Sequence, residues 1–199
     1  MKYSIIKSIC ILLILCAYSC NKINGPVEGN GPTTRNYKLD NYSVSSLCVS
    51  SNNLFAGTTG EGVFLSTNNG NSWTAVNTGL TNTNIYGLVS IVTNLFAGSF
   101  QSPGDSTGGI FLSTNNGIIW KNTINTGLTN YRIDVLLANG VNLYVGTNSG
   151  VFRSTDQGTT WVDISSGTSL DSSAVISLAT DGSDLIAGSN GNGLMRLSL

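Results

Sequence analysis

Side chains able to do chemistry are few in this chain of 199 residues, and they are scattered. Histidine is absent, which removes the commonest general base, nucleophile activator and transition-metal ligand together. Glu28 and Glu61 are the only glutamates. Acid–base work of the glycosidase kind would need two of Glu61, Asp105, Asp134 and Asp171 to converge, and no spacing demands it. The carboxylates form no metal-loop motif, so neither a metal nor another cofactor is expected, and no catalytic residue is assigned. Two groupings remain as candidates for binding. Phe100 and Asp105 sit in a stretch from Phe100 to Gly108 that contains Pro and Gly, and Tyr131, Arg132 and Asp134 form a polar–aromatic trio. A tolerated surface insertion is the other reading of the first, and a solvated linker running into a strand is that of the second.

Bulk charge narrows the partners. Nine Lys and Arg against ten Asp and Glu give a net charge of −1, with no basic field to hold nucleic acid. The N-terminus supplies an address. Lys2 and Lys7 precede an apolar run from Ile9 to Ala17, the pattern of a secretory signal and too short to span a bilayer. Ala17-Tyr18-Ser19-Cys20 then resembles the lipobox of bacterial lipoproteins, although that family prefers Leu where Ala17 stands and a small residue where Tyr18 stands. The resemblance implies a signal over residues 1–19, lipidation of Cys20, a flexible tether over residues 20–34 and a folded domain over residues 35–199. It implies a membrane-anchored protein of the cell envelope, at the outer membrane. A plain secretory signal cut near Ser19 is the other reading. Either way Cys10 and Cys16 leave with the signal. With Cys20 lipidated, Cys48 stays alone in Ser46-Leu47-Cys48-Val49, as a small buried hydrophobe with no disulfide partner.

The elements that must position the candidates come as repeats. Leu54-Phe55-Ala56-Gly57, Leu95-Phe96-Ala97-Gly98, Leu143-Tyr144-Val145-Gly146 and Leu185-Ile186-Ala187-Gly188 are one element, recurring at a pitch above forty residues. Each is preceded by an apolar run (Val44 to Val49, Ile85 to Ile91, Ile133 to Ala138, Val175 to Ala179) and followed by another opening at Gly62, Gly109, Gly150 or Gly193. A fourth element opens at Trp73, Trp120 or Trp161 and should run about five residues. The linker Asn77-Thr78-Gly79-Leu80-Thr81-Asn82 recurs verbatim at residues 125–130. Short β-branched and aromatic runs divided by Gly and Asn turns predict an all-β chain, a small β-propeller of about four four-stranded antiparallel blades.

The third-to-fourth strand turns carry a motif. Ser154-Thr155-Asp156-Gln157-Gly158-Thr159-Thr160-Trp161 fits S-x-D-x-G-x-x-W, and the stretches holding Ser66, Asn68, Gly70 and Trp73, and Ser113, Asn115, Gly117 and Trp120, fit it with Asn for Asp. The side-chain oxygen should accept backbone N–H groups of its own turn, Gly should take the positive-φ position and Trp should cover the turn. Asn keeps the acceptor but loses the charge, which should weaken two of the three boxes. On these residues the chain resembles the BNR/Asp-box repeat family, which includes sialidases, sortilin-type receptors and Ycf48-like photosystem II assembly factors. The shared residues build turns, so the resemblance implies fold and leaves function open. Sialidase-like hydrolysis would call for an arginine triad, a Tyr–Glu nucleophile pair and an acid Asp. Only Arg35, Arg132, Arg153 and Arg196 are available, no Arg-Ile-Pro motif is present, and the chain is short for six blades.

Because antiparallel turns alternate between ends, the boxes fall on one face of the propeller and the candidate binding residues on the other. The expectation is a non-catalytic module binding a protein or glycan there. An assembly factor for a membrane complex is the alternative, and a sialidase-like hydrolase the less favoured one. The fourth unit stops after its third strand, so Arg35 to Leu39 is expected to supply its outer strand and close a monomeric ring. The rival is an incomplete ring that two chains complete as a homodimer.

Overall fold

The computed structural model describes residues 39–100 and 107–199. Fifteen strands and one 3-10 turn, Leu39–Asn41, make up its regular structure. Blade one holds β1 (Val44–Ser50), β2 (Asn53–Thr58), β3 (Gly62–Ser66) and β4 (Thr74–Ala75). Blade two holds β5 (Ile85–Ile91), β6 (Asn94–Ser99), β7 (Gly109–Ser113) and β8 (Lys121–Asn122). Blade three holds β9 (Ile133–Asn139), β10 (Asn142–Thr147), β11 (Gly150–Ser154) and β12 (Val162–Asp163). Blade four holds β13 (Val175–Thr180), β14 (Asp184–Ser189) and β15 (Gly193–Ser198). Each blade is an antiparallel meander whose strands pair in chain order, which is the sheet arrangement of a small propeller.

One expectation is corrected. The fourth strands are two residues long and begin after the Trp. The Trp backbone N–H is drawn away to the previous linker, where Trp120 donates to the Thr78 carbonyl and Trp161 to that of Thr126. Among the described residues blade four has three strands. Its expected closing strand, Arg35 to Leu39, lies outside the described residues except for Leu39, which starts the 3-10 turn.

The blades are held together face to face. The face a blade turns toward its successor carries Phe55, Gly57 and Val63 in blade one, and the successor answers with Ile85, Leu88, Leu95, Ala97, Phe111 and Trp120. A side chain at Gly57 would lie 2.7 Å from Ile85 Cγ2 and 3.2 Å from Leu88 Cδ1. Gly98 stands in the same relation to Ile133 and Leu136, and Gly146 to Val175. Each junction is therefore a β-branched knob seated where a glycine leaves room. Ile85, Ile133 and Val175 are fully buried, each worth about 1.5–3 kcal/mol in apolar burial. A β-bulge follows the knob in every first strand, leaving Ser45, Tyr86, Asp134 and Ile176 unpaired in the four blades.

The repeated linker has its reason here too. Gly79 and Gly127 adopt φ of 89° and 84°, and a Cβ on either would overlap the carbonyl oxygen of Trp120 or Trp161. Gly167 holds the same register in the third linker, with φ of 76°, and nothing lies within 4 Å of where its Cβ would be. Gly127→Ala should accordingly cost about 3 kcal/mol or more, from backbone strain plus the clash. Gly167→Ala should cost about 1 kcal/mol, from strain alone. Chemical denaturation of the two variants checks this, and equal losses would refute the role given to the Trp carbonyl.

Candidate functional site

The three Asp-boxes share one geometry. In each, the Ser hydroxyl donates to the box Asn or Asp and accepts the glycine N–H, at 2.8 Å for Gly70, 2.9 Å for Gly117 and 2.8 Å for Gly158. The Asn or Asp Oδ1 accepts the backbone N–H four residues on, from Ser72 at 2.9 Å, Ile119 at 2.9 Å and Thr160 at 2.8 Å. Asn therefore reproduces the acceptor of Asp156 bond for bond. In box one Asn68 Nδ2 donates to the Ser72 hydroxyl, whereas in box three the Thr160 hydroxyl donates to Asp156 Oδ2 at 2.6 Å. Gly70, Gly117 and Gly158 take positive φ as expected, and so do the residues before them, Asn69, Asn116 and Gln157, at 57–59°. Trp73 and Trp161 cover their own turns, with Nε1 donating to the carbonyls of Gly70 and Gly158. Trp120 departs from this. Its Nε1 donates 2.7 Å to the Val76 carbonyl of blade one, because the ring packs with Phe55 and Val76 in the junction core. These residues hold turns and blades together.

The other end of the blades brings the binding candidates together. Val44, Thr58 and Gly62 align across blade one at this end, and the later blades repeat the alignment. The β6–β7 loop leaves blade two through Phe100, whose N–H donates to Asn84 and whose carbonyl accepts from Asn82 Nδ2. Arg132 comes from the linker into blade three. Its guanidinium carbon lies 4.6 Å from the centre of the Phe100 ring, a cation–π contact, and its Nε donates 3.1 Å to Asp134 Oδ1. Tyr86 completes the group, 5.5 Å from Phe100 in a tilted ring pair. It is the residue that sequence reasoning missed. The usable signal was register, since Tyr86 follows the knob Ile85 as Asp134 follows Ile133.

Asp134 sets the electrostatics of this cluster. Its side chain is 8% exposed, while that of Arg132 is 41% exposed. Oδ1 is taken by Arg132, and Oδ2 is buried with no hydrogen-bond partner among the described residues. A buried carboxylate oxygen left bare is costly, and here it sits beneath a half-exposed cation and two aromatic faces. Tyr131 is 39% exposed and lies beside Gly109. Asp105 falls in residues 101–106, outside the described residues. Arg196 pairs with Asp184 within blade four. Among the described residues no three His, Cys, Asp or Glu side chains group closely enough to hold a metal ion.

No family model matches the sequence and no curated protein matches it. Solved structures do. The extracellular domain of the hybrid two component system BT4673 from B. thetaiotaomicron is similar at 18% identity and a TM-score of 0.61, over 79% of this chain and 21% of that one. The GH74 enzyme of Niastella koreensis is similar at 21% identity and 0.58, over 78% of this chain and 28% of that one. YCF48 bound to a D1 peptide is similar at 14% identity and 0.56, over 83% of this chain and 54% of that one. The chain thus spans between about a fifth and a half of these proteins, and what it shares with them is architecture. In fold it is a β-propeller, and its outer turns are Asp-boxes.

Of the boxes, the third alone can titrate. The hydroxyl and backbone N–H of Thr160 hold the Asp156 carboxyl below its ordinary value. A folded pKa below the unfolded one means that the box stabilises the protein above the ordinary aspartate range and loses this as pH falls through the folded value. Asp156→Asn should therefore lower Tm at neutral pH and reduce its fall between about pH 5 and pH 2. Asp181, held at about 2 chiefly by the N–H groups of Asp184 and Ser183, keeps a residual acid limb in both proteins. Superimposable acid limbs would show that the Asp156 charge contributes nothing.

Proposed function

We propose that this chain is a non-catalytic interaction module of the cell envelope, tethered through lipid on Cys20, that binds a protein or glycan on the face opposite the Asp-boxes. One observation carries the reading. On that face two blades converge Tyr86, Phe100, Arg132 and Asp134 into a half-exposed group with a buried, unpartnered carboxylate oxygen. Aromatic and guanidinium groups around a desolvated acceptor are the ingredients of a binding hot spot. Among the described residues the same group has no activated nucleophile and no second converging carboxylate, which favours binding over hydrolysis. That an extracellular domain is among the similar structures fits an exported protein. Service as an assembly factor for a membrane complex is the second reading, favoured by the likeness to YCF48, which was solved with a peptide bound.

Crosslinking and pull-down of the intact protein from its own membranes test this. Arg132→Ala and Phe100→Ala should each reduce capture of the partner at least about tenfold. Val92→Ser, at a side chain 87% exposed on the box-side turn of blade two, should leave capture unchanged. A single co-purifying membrane protein would favour the assembly role, and retention on carbohydrate resin a glycan. Capture indifferent to Arg132 and Phe100 would place the function elsewhere, and hydrolysis of a fluorogenic glycoside panel would overturn the non-catalytic reading.

A further inference from the structure

The series of blade junctions ends with two bare faces. β1 packs on β5, β5 on β9 and β9 on β13, and no comparable packing joins β13 back to β1. At the front of blade one, Val44 and Leu47 are 40% and 42% exposed, whereas their counterparts Ile85, Leu88, Ile133 and Leu136 are at most 7% exposed. Val49, on the same face, is 49% exposed. At the back of blade four, Leu194 is 73% exposed, whereas its counterparts Val63, Ile110 and Val151 are fully buried. The glycine seat is bare as well. Gly57, Gly98 and Gly146 each receive a knob from the next blade, while among the described residues only Ser177, from its own blade, lies near Gly188.

We propose that these two faces are the halves of one interface between copies of this chain, and that two chains close head to tail into a ring of eight blades. The occupant of each face follows from the three junctions already inside the molecule. Val44 is a β-branched knob without a seat, and Gly188 is a seat without a knob, in the registers that pair Ile85 with Gly57. Val44 is 40% exposed and Gly188, half-buried, has no side chain from another described blade against it, so the described blades leave both without a mate. A head-to-tail contact either closes a ring or propagates. Two chains of four blades reach the upper end of the usual four to eight blades, and three chains exceed it. Polar first-strand positions do not obstruct the joint: the Ser45 hydroxyl lies between the carbonyls of Gly57 and Ile85 at the first junction, with its one proton for either.

The test uses the full chain in detergent, with Val44→Cys and Gly188→Cys made singly and together. Both positions lie in solvent or beside a hydroxyl free to turn, so folding is checked against the parent by tryptophan fluorescence. Under mild oxidation, a mixture of the two single variants should give a covalent dimer, and the double variant a covalent dimer with nothing larger. The unmodified protein should have the native mass of two chains, and Leu194→Glu that of one. A double variant crosslinked within single chains would show that the chain closes on itself and would overturn the proposal. A ladder of higher species, meaning an open filament, would overturn it too. So would a native mass of one chain without crosslinking, as when residues 35–39 cover the end faces.

Discussion

Everything else in this molecule depends on seating a β-branched side chain where the neighbouring blade has a glycine. Ile85 over Gly57, Ile133 over Gly98 and Val175 over Gly146 set how closely successive first strands approach. The larger apolar residues then fill the space outward: Phe55, Phe96 and Tyr144 from one blade meet Trp120, Trp161 and their neighbours from the next. A packing unit of this kind is strictly local. Each blade needs only its two neighbours, so the energetics resemble those of a one-dimensional array more than those of a globule with a single centre. The three separate apolar clusters, one for each junction, are the direct expression of that arrangement.

The Asp-boxes solve a different problem, the sharp reversal at the outer end of each blade. Their hydrogen bonds show why Asn serves nearly as well as Asp. The turn needs an acceptor for the N–H four residues on and a short side chain beside the Ser hydroxyl, and both residues supply these. What Asp adds is charge, which strengthens its accepted bonds and makes that one turn sensitive to acid. The two ends of the blades thus differ in kind. Rigid turns occupy one end, and a longer, polar–aromatic set of connections occupies the other.

The architecture was legible because its signals repeat. Runs read as Val44 to Val49 and Ile85 to Ile91 are strands Val44–Ser50 and Ile85–Ile91. A glycine that is merely a small residue in one unit becomes an interblade seat when it recurs in four. What escaped was whatever depends on the relation between units. The backbone bond that ties Trp120 to Thr78 of the previous linker is one such relation, which no single repeat encodes. Of the candidate binding residues, Phe100, Arg132 and Asp134 do meet, yet Tyr86 could be added only through register, because the pairing of Phe100 with Arg132 crosses a blade boundary. Tyr131, adjacent to Arg132 in sequence, lies beside Gly109.

Cys48 gives the first junction a property of its own. It is the free cysteine of the described residues, it is buried in the contact between blades one and two, and burial pushes its thiol pKa upward. A protonated and shielded thiol does not react with alkylating reagents until the junction around it parts. The rate at which Cys48 becomes modified is therefore a clock for the separation of two adjacent blades, one that runs independently of global unfolding and is built into the native sequence.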